Sequence, residues 1–302
     1  MRRSVSIQLM WDDRPFPARA EAAAAAGFDL VDLWDRRTSD LDALAAACRD
    51  HGIGINGFFG NRDHGLCDPD DTAVLDEISA NLDAAARVGA RQLHVFSNAI
   101  RPGGVVVPLP EVGRDRLVGT AADRLAAVAD AAAQAGVTLV LEHLNTVFLP
   151  GYLWDDVASV VEVAARVDRP EVRVVFDAFH QQLVRGRLTD NLVAALPWLA
   201  RVDVAEVPGR HEPGRGEIDF RHLREVLDEH GWDGVLTFET VPSDGNPATA
   251  VAAIDALFPV SWCRSRTAGA GRATPGAPGD GDATPGGPRG GGATPGGPGP
   301  RF

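Results

Sequence analysis

The chain has 302 residues, of which 42 are acidic and 29 are basic, and its formal net charge is −13. Every one of those basic residues is arginine, so the chain lacks the lysine that Schiff-base aldolases, pyridoxal-phosphate enzymes and the phosphate-binding P-loop require. An acidic chain is also a poor binder of the phosphate backbone, so we predict that nucleic acid is not a partner.

Short apolar or β-branched runs alternate with alanine-rich helical patterns from the N-terminus onward. Glycines follow two of these helical runs, Gly27 after the first and Gly136 after the fourth, where helices commonly end. The first half contains four strand and helix pairs, at residues 4–9 and 17–26, 30–33 and 39–50, 54–59 and 71–88, and 92–96 and 115–135.

The second half continues the pattern with four more pairs, at residues 138–141 and 155–167, 172–176 and 189–199, 202–205 and 219–230, and 234–238 and 247–257. Alternating strands and helices favour a parallel sheet with helices outside it. Eight units in about 260 residues favour a closed (β/α)8 TIM barrel over an open sheet. We therefore predict a single α/β barrel domain over residues 1–260, with functional groups at the carboxyl ends of its strands.

The last 39 residues differ in composition from the barrel. Residues 264–302 contain 13 glycines and 7 prolines, and the tetrad Ala-Thr-Pro-Gly recurs three times. Such a segment buries too little apolar surface to offset the entropy of ordering it, so we predict a disordered, low-complexity tail. Because five arginines and two aspartates lie in this tail, residues 1–263 carry a formal charge of −16.

The N-terminus does not read as a targeting segment. The largely apolar run over residues 5–10 is interrupted by Asp12 and Asp13 before a signal-peptide core is complete. No stretch of 18 apolar residues follows anywhere in the sequence, so we predict no membrane partner and a cytoplasmic protein. Self-association into a homo-oligomer is compatible with these features.

Four consecutive predicted strands in the second half end in, or carry, a carboxylate, namely Glu142, Asp177, Asp203 and Glu239. Acidic residues are disfavoured in buried parallel strands, and four of them aimed at one rim repel each other unless a cation lies between them. Ligands that are all oxygen favour Mg²⁺ or Mn²⁺ over zinc. The alternative is that these carboxylates cap helices or pair with arginines, which explains one such residue better than four.

The same residues lie within longer runs that resemble a known family. The runs Glu142-His-Leu-Asn145, Asp177-Ala-Phe-His180-Gln, Arg210-His-Glu-Pro213 and Gly216-Glu-Ile-Asp219 resemble those of hydroxypyruvate isomerases, which are xylose-isomerase-like barrels. The resemblance covers most of residues 4–245. It implies an isomerase that interconverts a small hydroxy-ketone acid and its aldehyde, with hydroxypyruvate and tartronate semialdehyde as the leading substrate pair.

The resemblance also implies a role for each residue. Glu142 and Glu239 would ligate the metal and move the proton, Asp177 would be a further ligand, and His180 and Arg210 would hold the substrate with His211 nearby. The chain departs from the family at Asp203, where a neutral residue is usual, at Thr240 and at His143. Arg210 has the planar fork that suits a substrate carboxylate, although an arginine in a loop rich in glycine and proline is also compatible with a surface position.

The chemistry agrees with these residue types. Moving a carbonyl by one carbon requires a proton to leave the carbon beside it, and a metal on the two oxygens stabilises the resulting enediolate. A ketose or 2-oxo-sugar-acid isomerase or epimerase would share this site, so it is the nearest alternative. Two further alternatives are a sugar-acid-binding barrel without turnover and a hydrolase related to DNA-repair endonucleases, which the acidic body disfavours.

For two groups of ring-bearing residues, the sequence allows either a place in the core or a place in the site. His94, near the end of the fourth predicted strand, fits a hydrogen-bonded core residue better than a substrate contact. Trp34, Phe58 and Phe59 lie where early strands meet their loops, and ordinary packing explains them better than a role as walls of a site.

Overall fold

Eight parallel strands close into a barrel in the computed structural model, which describes residues 1–267. Going round the barrel, the strands are β1 (Arg2–Ser6), β2 (Leu30–Asp32), β3 (Gly54–Phe59), β4 (Gln92–Val95), β7 (Thr138–Leu141), β8 (Val172–Asp177), β9 (Leu199–Val204) and β10 (Val235–Phe238), and β10 pairs with β1. A short antiparallel hairpin, β5 (Ile100–Arg101) and β6 (Val105–Val106), follows β4. The predicted (β/α)8 barrel is confirmed.

The helices lie between successive strands, as the alternation predicts. They are α1 (Phe16–Ala25), α2 (Leu41–Asp50), α3 (Val74–Val88), α4 (Arg114–Ala135), α5 (Val157–Val167), α6 (Ala178–Val184), α7 (Leu188–Ala195), α8 (Phe220–Glu229), α9 (Pro247–Leu257) and α10 (Val260–Thr267). Aspartate or asparagine side chains cap the N-termini of several of them, including Asp40, Asp156, Asp219 and Asn246.

Several elements differ from the sequence prediction, and three of the differences have a clear local cause. Strand β1 ends at Ser6 because residues 7–10 form a turn in which the N–H groups of Leu9 and Met10 donate to the Ser6 carbonyl. Helix α6 was not predicted, and it starts directly after β8 because the Asp177 side chain accepts from the His180 N–H. The predicted helix over 189–199 ends four residues early as α7, and a 3-10 turn containing Pro197 leads into β9.

Several barrel strands carry buried polar side chains. The side chains buried there include Ser4, Asp32, Asn56, Gln92, His94, Arg201 and Thr237. Buried polar groups are tolerated when they are hydrogen-bonded, and here Asp32 accepts from Ser4, Asn56 and Arg201. The interior therefore contains hydrogen bonds between side chains of different strands, beside the branched apolar residues common in such barrels.

Two further predictions concern the start of the C-terminal tail and the absence of a membrane-spanning helix. Helix α10 includes the first four residues of the predicted tail, and the rest of that tail lies outside the described residues. Among residues 1–267, no helix combines the length and the apolar character needed to span a bilayer. The cytoplasmic location stays a prediction.

Candidate active site

A cavity of about 260 Å³ opens where the barrel strands end. One side of it is aromatic: the rings of Trp34 and Phe59 stack with centroids 6.4 Å apart, and Phe96 meets Phe59 edge-on at 5.0 Å. The hairpin formed by β5 and β6 contributes Arg101 and two glycines to the lining. These apolar rings limit the access of water to the polar groups that complete the lining.

The four carboxylates predicted from the strand ends meet beside this cavity, and Glu142 and Glu239 of the four line it. One oxygen from each of Glu142, Asp177, Asp203 and Glu239 lies within 4.8 Å of the others, and all four side chains are buried. The strand register explains the meeting, because Asp177 of β8 pairs directly with Asp203 of β9. Glu142 and Glu239 directly follow β7 and β10. The parallel strands thus place four acidic groups close together.

This cluster carries more negative charge than its neighbours balance. Burial raises the pKa of Asp177 to about 7, with Arg210 opposing the shift and Glu239 adding to it, and burial also raises the pKa of Asp203 well above its usual range. Burial acts to raise the pKa of Glu239 too, but Arg210 and Arg201 beside it outweigh burial and lower the value.

The residues present fit a divalent cation. The four carboxylates and Asp32 form a buried acidic group, and among the described residues two guanidinium groups, those of Arg201 and Arg210, pair with them. Full ionisation would leave three uncompensated negative charges. The Asp203 Oδ2 atom is buried and has no hydrogen-bond partner among the described residues, so it is available as a ligand.

His180 and Arg210 lie side by side against this cluster. The backbone N–H of Asn145 donates to the Nδ1 atom of His180 at 3.0 Å, and the Asn145 side-chain amide lies 2.7 Å from the same atom. Nδ1 must therefore be the acceptor. Burial, with Arg210 adding to it, lowers the pKa of His180 well below its usual range, so the ring is neutral and its proton is on Nε2.

Two hydrogen-bond donors consequently face each other. His180 Nε2–H lies 3.2 Å from the NH1 group of Arg210, and neither atom is able to accept from the other. Asp177 Oδ2 lies farther away, at 3.7 Å from His180 Nε2 and 3.6 Å from Arg210 NH2. Both side chains line the cavity, so an oxygen atom entering it would find two N–H groups that lack a close acceptor.

Arg210 is also fixed to the acidic cluster from its other edge. Its NH2 group lies 2.6 Å from Glu239 Oε2, and its Nε donates to the Glu239 carbonyl. The backbone of Arg210 has φ of 56°, which residues with a β-carbon rarely adopt, and such conformations concentrate at functional sites. Gly209 precedes it because a β-carbon there would collide with the His211 ring.

A family model described as a xylose isomerase-like TIM barrel matches residues 20–259. The chain belongs to the xylose isomerase-like TIM barrel family. The resemblance stated from the sequence is thereby confirmed at the level of the family, and the four carboxylates all lie inside the matched range.

Relatives within this family were found among sequences and among structures. A 2-oxo-tetronate isomerase from Haemophilus influenzae is 31% identical over 257 residues, which cover 79% of this chain and 93% of the relative. A putative hydroxypyruvate isomerase from Homo sapiens is 28% identical and covers 82% of this chain and 88% of its own. A crystal structure titled AP endonuclease, family 2, from Brucella melitensis has a TM-score of 0.72 at 27% identity, over 84% of this chain and 98% of that one.

One predicted site residue of this family member lies apart from the others. His211 is half-buried, its Nδ1 donates to the Val241 carbonyl at 2.9 Å, and its side chain is not part of the cavity lining. Its predicted contact with substrate stays a prediction, and the bonds it makes hold together the loops after β9 and β10. Arg210, in contrast, is buried and not on the surface.

Sequence reasoning underestimated several residues of the site. His94 and Trp34 both line the cavity and contact the acidic cluster, His94 through Glu142 and Trp34 through Glu239, whereas Phe58 is an ordinary core residue. Arg201 was missed altogether. One signal was present, because Arg201 and Asp203 are two residues apart in a buried strand and so face the same side of it.

Proposed function

We propose that the protein is a metal-dependent isomerase of small 2-oxo acids, which moves a carbonyl between adjacent carbons by proton transfer. The observation that carries this proposal is the meeting of four buried carboxylates with a neutral histidine and an arginine whose N–H groups face the same cavity. The relatives support an enzyme of the isomerase type, since the names they carry are 2-oxo-tetronate isomerase and hydroxypyruvate isomerase. Hydroxypyruvate and tartronate semialdehyde are the substrate pair we favour.

Glu142, Asp177, Asp203 and Glu239 would hold the cation. Their donor atoms are all oxygens, which favours Mg²⁺ or Mn²⁺. When bound, the ion would supply positive charge that polarises the substrate carbonyl and lowers the energy of the enediolate.

His180 and Arg210 would bind a substrate oxygen through their two facing N–H groups. Because neither donor has a close acceptor, a carbonyl or hydroxyl oxygen placed between them completes the hydrogen bonding of both. Such a pair stabilises negative charge that develops on that oxygen as the proton leaves carbon.

Glu142 and Glu239 would move the proton. One carboxylate removes it from the hydroxyl-bearing carbon C3 of hydroxypyruvate, and the electron pair of that C–H bond forms the double bond of an enediolate. Return of a proton to C2 from the other carboxylate, with transfer of the hydroxyl proton between the two oxygens, gives tartronate semialdehyde with all atoms balanced. General acid-base assistance of this kind contributes about 10²- to 10⁴-fold.

Exchange of substrate protons with solvent tests the proposal. In D₂O with Mn²⁺ present, the enzyme should introduce deuterium at the carbon that receives the proton, and Glu142→Gln and Glu239→Gln should each abolish the incorporation. The matched control is Glu225→Gln, a surface substitution on α8. Binding of hydroxypyruvate without any exchange would contradict the proposal and would favour a sugar-acid-binding barrel.

The same assay separates the remaining alternatives. A panel of hydroxypyruvate, 2-oxo-tetronate and neutral ketoses ranks the substrates, and preference for a ketose would assign the site to a sugar isomerase or epimerase. A DNA-cleaving activity is disfavoured by the formal charge of −16 on residues 1–263, and incubation with DNA containing abasic sites checks it directly.

A further inference from the structure

Arg201 is buried inside the barrel and contacts three different groups. Its Nε donates to Asp203 Oδ1, and its NH1 lies 2.5 Å from Asp32 Oδ1 and 2.7 Å from the Nε2 atom of His94. On the other side of the imidazole ring, His94 Nδ1 lies 2.6 Å from Glu142 Oε2. One line of contacts thus runs from Arg201 through His94 to Glu142.

The protons in this line have one consistent arrangement. A guanidinium group donates and never accepts, so at 2.7 Å the Nε2 atom of His94 must be the acceptor and carries no hydrogen. The single ring proton is then on Nδ1, where it donates to Glu142 Oε2. Glu142 accepts that hydrogen bond as a carboxylate, and its Oε1 atom receives no hydrogen bond from the described residues.

We propose that Arg201 is a positioning residue that fixes His94 as the Nδ1–H tautomer and thereby holds Glu142 with Oε1 turned to the cavity. The meaning of this arrangement for catalysis rests on the proposed function, because it assumes that Glu142 takes part in proton transfer. The tautomer of His94 itself does not depend on that assumption.

The surroundings of Arg201 explain why it stays in place. Asp32 and Asp203 bind two separate nitrogens of the guanidinium group, and Asp32 is held in turn by Ser4 and Asn56. The pKa of Arg201 lies above its usual range, since the neighbouring carboxylates of Asp203 and Asp32 outweigh the effect of burial. The guanidinium group is therefore a fixed donor for His94 and not a mobile counter-ion.

A simple counter-ion would be a competing explanation of the same residue. In that case any positive charge would serve, and lysine would replace Arg201 without further effect. The positioning role requires the planar fork, because Nε holds Asp203 while NH1, fixed in the same plane, reaches both Asp32 and His94. Arg201→Lys is thus the variant that distinguishes the two explanations.

The experiment is nitrogen NMR of the full chain, labelled with ¹⁵N at histidine, with and without added Mg²⁺. Protonated and unprotonated ring nitrogens have widely separated shifts, and the His94→Gln variant identifies the His94 signals by their loss. We expect the Nδ1–H tautomer in the parent protein and a shift toward Nε2–H in Arg201→Lys. Arg124→Lys is the control, because Arg124 is also buried but donates to loop carbonyls remote from His94.

Turnover gives a second, separate measurement. Arg201→Lys should lower kcat for isomerisation by about 10- to 100-fold, the usual range for groups that orient a functional side chain, while KM changes less than about twofold. A parent protein with His94 protonated on Nε2, or an Arg201→Lys variant that keeps the Nδ1–H tautomer, would overturn the inference. If no substrate is turned over, the proposed function fails while the tautomer measurement still decides the role of Arg201. If the variant does not fold, a parent protein protonated on Nε2 still overturns the inference.

Discussion

Two histidine and arginine pairs face the same cavity, and their hydrogen bonding is opposite. In the first pair, Arg201 donates to His94, and His94 donates onward to Glu142, so each polar atom along the line has a partner. In the second pair, His180 and Arg210 present donors to each other at 3.2 Å. The hydrogen bonds of the first pair are all made within the protein. The donors of the second pair need an acceptor that enters the cavity.

The cause of the difference lies in where each ring meets a donor. His94 meets the Arg201 donor at Nε2 and the Glu142 acceptor at Nδ1, so its proton is on Nδ1. His180 Nδ1 faces a donor, the backbone N–H of Asn145, and so its proton is on Nε2. One site thus contains both neutral tautomers of histidine, one in a supporting position and one suited to bind a ligand.

Removing the arginine of the second pair should have the largest effect. We expect Arg210→Leu to lower kcat/KM by about 10³-fold, because it removes a charged donor to the substrate oxygen and leaves Glu239 buried without its partner. Arg210→Lys, which keeps the charge but not the fork, should recover only part of the loss in steady-state kinetics. Arg215→Leu, an exposed site in the same loop, serves as control, and equal kinetics in all three variants would contradict the prediction.

Giving His180 an acceptor should make it resemble His94. In Asn145→Asp, a carboxylate replaces the side-chain amide beside Nδ1 and competes there with the backbone N–H of residue 145, so part of the His180 population should carry its proton on Nδ1. The bond from the Phe148 N–H to the side chain at 145 is retained. We expect kcat/KM to fall by about 10- to 100-fold, and ¹⁵N shifts of His180 to report proton density on Nδ1. Asn191→Asp, on α7, is the matched control, and an unchanged His180 spectrum would argue against our assignment of its tautomer.

Binding of the cation should depend on pH through Asp177, which lies beside the second pair. Its raised pKa of about 7 means that the ion-free folded protein holds a proton that an unfolded aspartate has released above about pH 4. The contribution of this group to stability is therefore present below about pH 4 and is lost as pH rises toward 7.

The cation must displace that proton, so its affinity should weaken by about tenfold for each pH unit below 7. Thermal melting at several Mn²⁺ concentrations, at pH 5.5 and pH 8, measures the effect. Asp177→Asn should bind the ion weakly and keep only the pH dependence that comes from the raised pKa of Asp203. Equal affinities of the parent protein at the two pH values would be inconsistent with an ionisation of Asp177 near neutrality.

The outer end of the cavity should give the smallest effect. Arg101 is exposed at the start of the hairpin, and a carboxylate at the far end of a substrate would meet it there. An exposed charge contributes little, so Arg101→Ala should lower kcat/KM for an acidic substrate by up to about fivefold and leave neutral ketoses unaffected. The effect should disappear at high salt. A larger loss with neutral ketoses than with acids would count against this role.

The barrel and the acidic cluster were predictable because their signals are local. Each strand carries its own apolar run, and Glu142, Asp177 and Glu239 lie at strand ends that a barrel gathers on one face. The pair of Arg201 and His94 was not, because its contacts are remote in sequence: Arg201 is 107 residues from His94 and 169 from Asp32. His180 and Arg210 were named from the family resemblance, but the facing of their two donors was not. A histidine between apolar neighbours in a strand looks the same in the sequence whether or not an arginine reaches it.

Asp177 both caps a helix and belongs to the acidic cluster. One oxygen, Oδ1, accepts the backbone N–H of His180 at 2.9 Å and so starts helix α6, which leaves Oδ2 to turn toward the acidic cluster. The proposed binding of the cation and the placement of the His180 ring thus both depend on the Asp177 side chain, which lies three residues before His180. Inserting one residue between Asp177 and His180 would disrupt both the cap of helix α6 and the position of the imidazole. A change of side chain at Ala178 would leave the spacing intact.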